Sequence, residues 1–127
     1  IDEKALRSLR RNVKGIRDML DAAGGRLYLL TYLLPGDPEG ILRGNDAAAV
    51  KQGRLYQGRA NEALRRISGD LEIRLIDIER QTEAPDQWDG AWFMDHIHPR
   101  SIGHSRIADT VRRHLSVYGE LPMDYAD

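Results

Sequence analysis

The sequence predicts an α/β fold with a parallel sheet. Three observations carry that expectation: apolar residues at helical spacing ahead of Gly24-Gly25, strand-like runs at 27–34 and 71–78, and a second helical stretch between those runs. Successive strands joined through a helix need a crossover connection, and a crossover makes them parallel. Helices then cover the faces of the sheet. At 127 residues with 41% hydrophobic content, the chain has the size and apolar supply of one domain. No linker, internal repeat or low-complexity tract divides it.

Leu6, Leu9, Val13, Ile16 and Leu20 alternate spacings of three and four, which places one apolar stripe on a helix starting near Asp2. Gly24-Gly25 stops it. The run 27–34, Leu-Tyr-Leu-Leu-Thr-Tyr-Leu-Leu, is short, nearly all apolar and bounded by Gly25 and Pro35, so it reads as a buried central strand. Residues 35–53 read as a long irregular loop with a short Ala-rich piece. A second helix is expected over 54–67, with Tyr56, Ala60, Ala63, Leu64 and Ile67 on one side and Ser68-Gly69-Asp70 ending it. The run 71–78 alternates into a second strand with Asp77 at its C-terminal end. Residues 79–94 read as loop, and a last helix is expected over 101–118 with Ile107, Ala108, Val111 and Leu115 inward.

The 19 Lys and Arg residues nearly balance 20 Asp and Glu, so no overall field favours nucleic acid or an anionic membrane. Without cysteine there is no disulfide, thiolate nucleophile or thiolate metal site. No apolar run approaches the ~20 residues of a membrane span.

The densest chemistry lies in Phe93-Met94-Asp95-His96-Ile97-His98-Pro99-Arg100-Ser101-Ile102-Gly103-His104, between the second strand and the last helix. A histidine acting as general base must be held in one tautomer, and a carboxylate on its second ring nitrogen does this while stabilising the imidazolium. Three residues of separation in a tight turn let Asp95 reach His98. Pro99 suits the first turn of a helix and stiffens the backbone beside the base. The bland reading of the pair is that it caps the last helix. His96 and His98 share a side if the segment is extended, and with His104 or Asp95 they would form a metal set, but His-x-His alone is weak support and no metal is expected. His104 reads as a packing or helix-terminus residue and His114 as solvated. Trp88 and Trp92 either line an acyl or sugar subsite or anchor their loop against the sheet.

The Asp-x-x-His-Pro run at 95–99, followed by Gly103-His104 and then Ile107-Ala108 inside a helix, resembles the C-terminal motif block of the SGNH/GDSL serine esterases and lipases. The likeness extends backwards through the helix bearing Asn61 and Leu75-Ile76-Asp77 to the opening helix. It implies the C-terminal part of a three-layer α/β/α, flavodoxin-like SGNH hydrolase domain spanning 1–127, with parallel strands and no cofactor. It also implies Asp95 and His98 as two members of a triad cleaving O-acyl esters through an acyl-serine intermediate. The family's Gly-Asp-Ser nucleophile block and the Gly and Asn of its oxyanion hole are not in this sequence. Gly44-Asn45-Asp46 lacks one residue of the family's Gly-x-Asn-Asp block and follows the wrong strand, so Asn45 is not assigned as a donor. Ser8, Ser68, Ser101, Ser105 and Ser116 fall in or beside helices without the strand-to-helix turn that exposes a nucleophile.

The chain alone is therefore expected to be inactive. A missing block of that shape fits a piece of a longer protein, and the opening at Ile1-Asp2 without Met fits residues upstream. The run 27–34 would lack one neighbour, and an apolar edge invites pairing with the N-terminal half, another chain or a symmetry mate. Two other readings stand beside the esterase: a non-catalytic binding or assembly module that retains half of the fold, and a metal-dependent hydrolase on His96 and His98.

Overall fold

The computed structural model describes residues 2–34, 47–82, 92–94 and 98–120. The chain is a mixed α/β protein, mostly helical, in the order α1 (Glu3–Ala22), β1 (Tyr28–Leu30), α2 (Ala47–Leu71), β2 (Arg74–Ile76), α3 (Ile78–Gln81), α4 (Ser101–Val117). The two strands are parallel, with Tyr28 opposite Arg74, Leu29 opposite Leu75 and Leu30 opposite Ile76.

Local chemistry sets the limits of α1. The Asp2 carboxylate accepts from the Ala5 N–H at 2.6 Å, and Glu3 adds a negative charge where the helix dipole is positive. At the far end Gly24 takes φ +74°, while the Gly25 N–H reaches the Leu20 carbonyl and the Gly24 N–H that of Asp21. These two bonds are a Schellman termination, which needs a left-handed residue and finds glycine there. The end of α2 uses the same pair of bonds, Ile73 N–H to Ser68 and Glu72 N–H to Gly69, but puts Glu72 at φ +52°.

Leu6, Leu9 and Val13 of α1 meet Leu64 and Ile67 of α2 over Leu27, Leu29, Ile73 and Leu75, forming one half of the core. The other half is Leu33, Ile76, Ile78 and Phe93, with Tyr28 and the α4 residues Ile107, Val111 and Leu115 against it. Side chains on alternate faces of the sheet thus meet different helices: α1 and α2 on one face, α4 on the other.

Several expectations change. Helix α2 begins at Ala47 rather than 54, because the alanines are strong helix formers, and it runs through Ser68-Gly69-Asp70 because the Ser68 hydroxyl donates to the Ile73 carbonyl at 2.6 Å and secures the last turn. Tyr56 is 54% exposed instead of inward; among the described side chains of α2, buried positions begin only at Asn61. Ala108 is exposed, and Thr110 takes the inward place on α4. Ile78, read as strand, and residues 79–81, read as loop, form α3, started by Asp77 as its N-cap.

The strands are shorter than 27–34 and 71–78. Past Leu30 the chain stays extended to Thr31, whose N–H reaches the Ile76 carbonyl at 3.2 Å. Tyr32 then gives both its N–H and its carbonyl to the Asn61 side chain, so a helix amide replaces the next strand partner. The run is also not buried on both faces. Leu29, Thr31 and Leu33 are buried, whereas Leu30 and Tyr32 are 41% and 55% exposed, and among the described residues β1 pairs with β2 alone.

Candidate functional site

Residues 92–94 and 98–100 run antiparallel ahead of α4. The Met94 N–H donates to the His98 carbonyl at 2.8 Å, the Arg100 N–H to the Trp92 carbonyl at 2.7 Å, and Phe93 bridges Pro99. Phe93, 1% exposed, fixes this hairpin against Leu33 and Ile78, residues just beyond the C-terminal ends of β1 and β2. In an α/β sheet that end is where ligands are generally met. His98 is exposed there, on a backbone held on both sides by hydrogen bonds.

Pro99 does not sit in the first helical turn. It pairs with Phe93, two residues before α4 starts at Ser101, and the extended Arg100 is the N-cap. The first turn of α4 seats on the hairpin at Gly103: a Cβ placed there would fall 2.6 Å from the Trp92 carbonyl oxygen and 2.8 Å from Pro99 Cβ. Only a residue without a side chain allows that approach.

Asp95, His96 and Trp88 lie outside the described residues. Trp92 is half-buried, packs against the Phe93 cluster and carries the Arg106 guanidinium 5.8 Å from its ring centroid. His104 is an exposed residue in the first turn of α4, a helix-terminus position without packing. Among the described residues no group of three or more His, Cys, Asp or Glu could hold a metal ion. All five serines are helical: Ser8 in α1, Ser68 in α2, and Ser101, Ser105 and Ser116 in α4.

Behind the hairpin, a polar network that sequence reasoning missed ties α2 to the ends of both strands. Asp77 accepts from Arg65 Nε at 2.7 Å, Arg65 Nη2 at 2.9 Å and the Thr31 hydroxyl at 2.9 Å. Arg65 Nη2 also reaches Glu79 at 2.6 Å, and Glu79 accepts from the Asn61 amide at 2.9 Å. The Glu79 N–H in turn donates to the Thr31 hydroxyl. The Arg65 guanidinium holds the Asp77 carboxyl below the usual carboxylate range; burial opposes this, and the Thr31 hydroxyl supports it. The same bond raises Arg65 above its already high value. With these partners in place the network positions α2, β1, β2 and α3 relative to one another. A sequence signal existed in Asn61 and Asp77, but Arg65, which binds Asp77 directly and meets Asn61 only through Glu79, is one of many arginines.

His114 is not solvated. Its ring lies 6.4 Å edge-on to Tyr28 and 4.8 Å from Tyr118, and its Nε2 is buried without a hydrogen-bond partner among the described residues. Burial first, and then the nearby Arg74 charge, lower its pKa. Arg74 stacks on Tyr118 at 4.5 Å and joins Arg26 in ion-pairing Glu120. A second buried pair links α4 to the end of α3: Thr110 donates to the Arg106 carbonyl at 3.0 Å, which leaves Thr82 as donor in their 2.8 Å hydroxyl contact.

No family model matches the chain, and no curated protein matches it. No helix among the described residues is long and apolar enough to cross a membrane.

Proposed function

We propose that this chain supplies the histidine base and the aspartate orienter of an SGNH/GDSL-type ester hydrolase, with His98 taking the proton of a hydroxyl nucleophile and Asp95 holding the imidazole. The substrate would be an O-acyl ester, cleaved through an acyl-serine intermediate with His98 as base and then acid. The observation that carries this reading is the hairpin: it clamps the backbone on either side of Asp95-His96-Ile97 and presents His98, exposed, past the C-terminal ends of parallel strands. A solvent-exposed base on a backbone held by hydrogen bonds supports the reading, because general-base catalysis needs a positioned base. Trp92 serves by anchoring the hairpin, and a contact between Trp88 or Trp92 and the acyl group belongs to the same proposal.

The nucleophile must come from outside this chain. None of its serines occupies a strand-to-helix turn, and the hydroxyls of Ser68 and Ser116 are spent on the carbonyls of Ile73 and Arg112. That observation also favours the second reading, a non-catalytic module that retains half of an esterase fold.

One experiment separates them. The chain by itself should not be labelled by a fluorophosphonate. Joined to or mixed with an N-terminal half that bears Gly-Asp-Ser, it should label and should hydrolyse a short acyl ester. His98→Ala should then reduce the rate by about 10⁴ to 10⁶, the order seen when triad members are removed. Labelling of the isolated chain, or hydrolysis indifferent to His98, would sink the esterase reading. Chelator treatment should leave hydrolysis unchanged; loss restored by zinc would move the chemistry to His96 and His98.

A further inference from the structure

We propose that the groove along α2 from Lys51 to Arg66, bordered by Leu6 of α1, binds an aliphatic oxyanion, an alkyl chain bearing a carboxylate or phosphate head. The groove encloses about 800 Å³, within the ~300–1,000 Å³ range of small-molecule sites. Leu6 of α1, Leu34 beyond β1, and Leu55 and Ala63 of α2 supply its apolar wall. Among the described residues no aromatic side chain lines it, so they offer a nucleobase nothing to stack on. Aliphatic walls without aromatic faces suit a flexible alkyl chain.

The charge on the rim is unequal. Lys51, Arg59 and Arg66 line the groove with no ion pair among the described residues. The two carboxylates that also line it are already engaged, Glu62 by Arg65 at 2.5 Å and Glu79 by Arg65 at 2.6 Å. Lys51, Leu55, Arg59 and Arg66 follow one another along α2 at spacings close to whole helical turns, so cations and an aliphatic residue share a face. That face is not core: Leu55 is 47% exposed. A stripe of cations without an ion pair among the described residues, beside an exposed leucine, matches a ligand that is anionic at one end and apolar at the other, and arginine forks suit carboxylate or phosphate oxygens in particular. No described residue of the His98 hairpin lines the groove, and the test below reads binding rather than ester hydrolysis, so this site stands or falls independently of the esterase reading.

The test is calorimetric titration of the chain with decanoate and with decyl phosphate below their micellar concentrations, alongside decanol and inorganic phosphate. Amide chemical shifts locate the site. At least one amphiphile should bind saturably at one site, with shifts confined to α1, residues 32–34, residues 51–66 and the neighbourhood of Glu79. Whichever head binds more tightly identifies the oxyanion. Decanol and inorganic phosphate should each bind at least tenfold more weakly. The double variant Lys51→Gln/Arg59→Gln changes two exposed side chains and should weaken binding at least tenfold, about what one charge-assisted contact contributes. Arg11→Gln, exposed on α1, should leave it unchanged. Unsaturable partitioning, decanol equal to decanoate, an unaltered affinity in the double variant, or shifts elsewhere would each overturn the proposal.

Discussion

Replacing Gly103 by alanine sets two opposing effects against each other. Inside a helix alanine is favoured over glycine by about 1 kcal/mol, so at an open position the change should stabilise. Gly15, exposed in α1 with nothing within 4 Å of an added Cβ, is such a position. At Gly103 the added methyl would lie 2.6 Å from the Trp92 carbonyl oxygen and 2.8 Å from Pro99 Cβ. One neighbour is backbone and the other a proline ring, so neither can swing aside. Either α4 or the hairpin must shift, which as overpacking costs about 1–3 kcal/mol. The same carbonyl accepts the Arg100 N–H at 2.7 Å, and disturbing that bond adds about 1 kcal/mol. After the propensity gain, Gly103→Ala should destabilise by about 1–3 kcal/mol and differ from Gly15→Ala by about 2–4 kcal/mol. Urea denaturation of both variants, followed by far-ultraviolet circular dichroism and compared at equal m-values, measures that difference. If Gly103→Ala stabilises as much as Gly15→Ala, α4 does not seat on the hairpin as described, and the support for the placement of His98 goes with it.

Arg65→Ala should destabilise the chain by about 3–5 kcal/mol, since it leaves Glu79 partly buried without its cation and Asp77 with only the more distant Arg80. Because Arg65 lowers the Asp77 pKa, its stabilisation is complete above the unfolded carboxylate value of ~3.9 and is lost as pH falls through the lower folded value. In the variant, burial is unopposed by Arg65, so acid unfolding monitored by circular dichroism should begin at higher pH. His114 carries the same sign for a different reason: its folded pKa is depressed, so the unfolded chain takes up the proton first and stability falls as pH drops below ~6.5, levelling off below the folded value. His114→Phe should flatten that slope in unfolding curves between pH 5 and pH 7 (about the range of histidine titration); an unchanged slope would place the titrating group elsewhere. Glu72→Gly should stabilise by about 1 kcal/mol, because a β-carbon at φ +52° is strained and glycine is not. Thermal unfolding checks this, and a lower melting temperature would contradict it.

The apolar periodicity of α1 and its Gly24-Gly25 stop, the two parallel strands and the helix before the end of the chain were all legible from spacing and turn chemistry. The buried partners were less so. Asn61 reads as a polar residue in a helix, yet it has no exposed surface because its amide carries the hydrogen bonds of a strand edge. Arg65 and His114 resemble the other charged residues of their helices, and only the packed neighbours Asp77, Tyr28 and Tyr118 set them apart. The length of β1 was misread for the same reason: strand character ends where Asn61 takes over the backbone.

The sequence by itself determined what local rules decide, namely where helices begin and stop, that the sheet is parallel, and that Asp95 and His98 stand three residues apart beside a helix. Only the tertiary structure decided which faces those elements share, since burial and hydrogen bonding depend on residues distant in the chain. Phe93 against Leu33 and Ile78 carries His98 to the C-terminal ends of the strands. The close approach of α4 to the Trp92 carbonyl favours glycine at 103, and among the described residues the outer face of α2 leaves Lys51, Arg59 and Arg66 lining a groove. Spacing can propose neighbours along one helix or strand, but a long-range contact exists only once the whole chain has paid its conformational entropy to form the core.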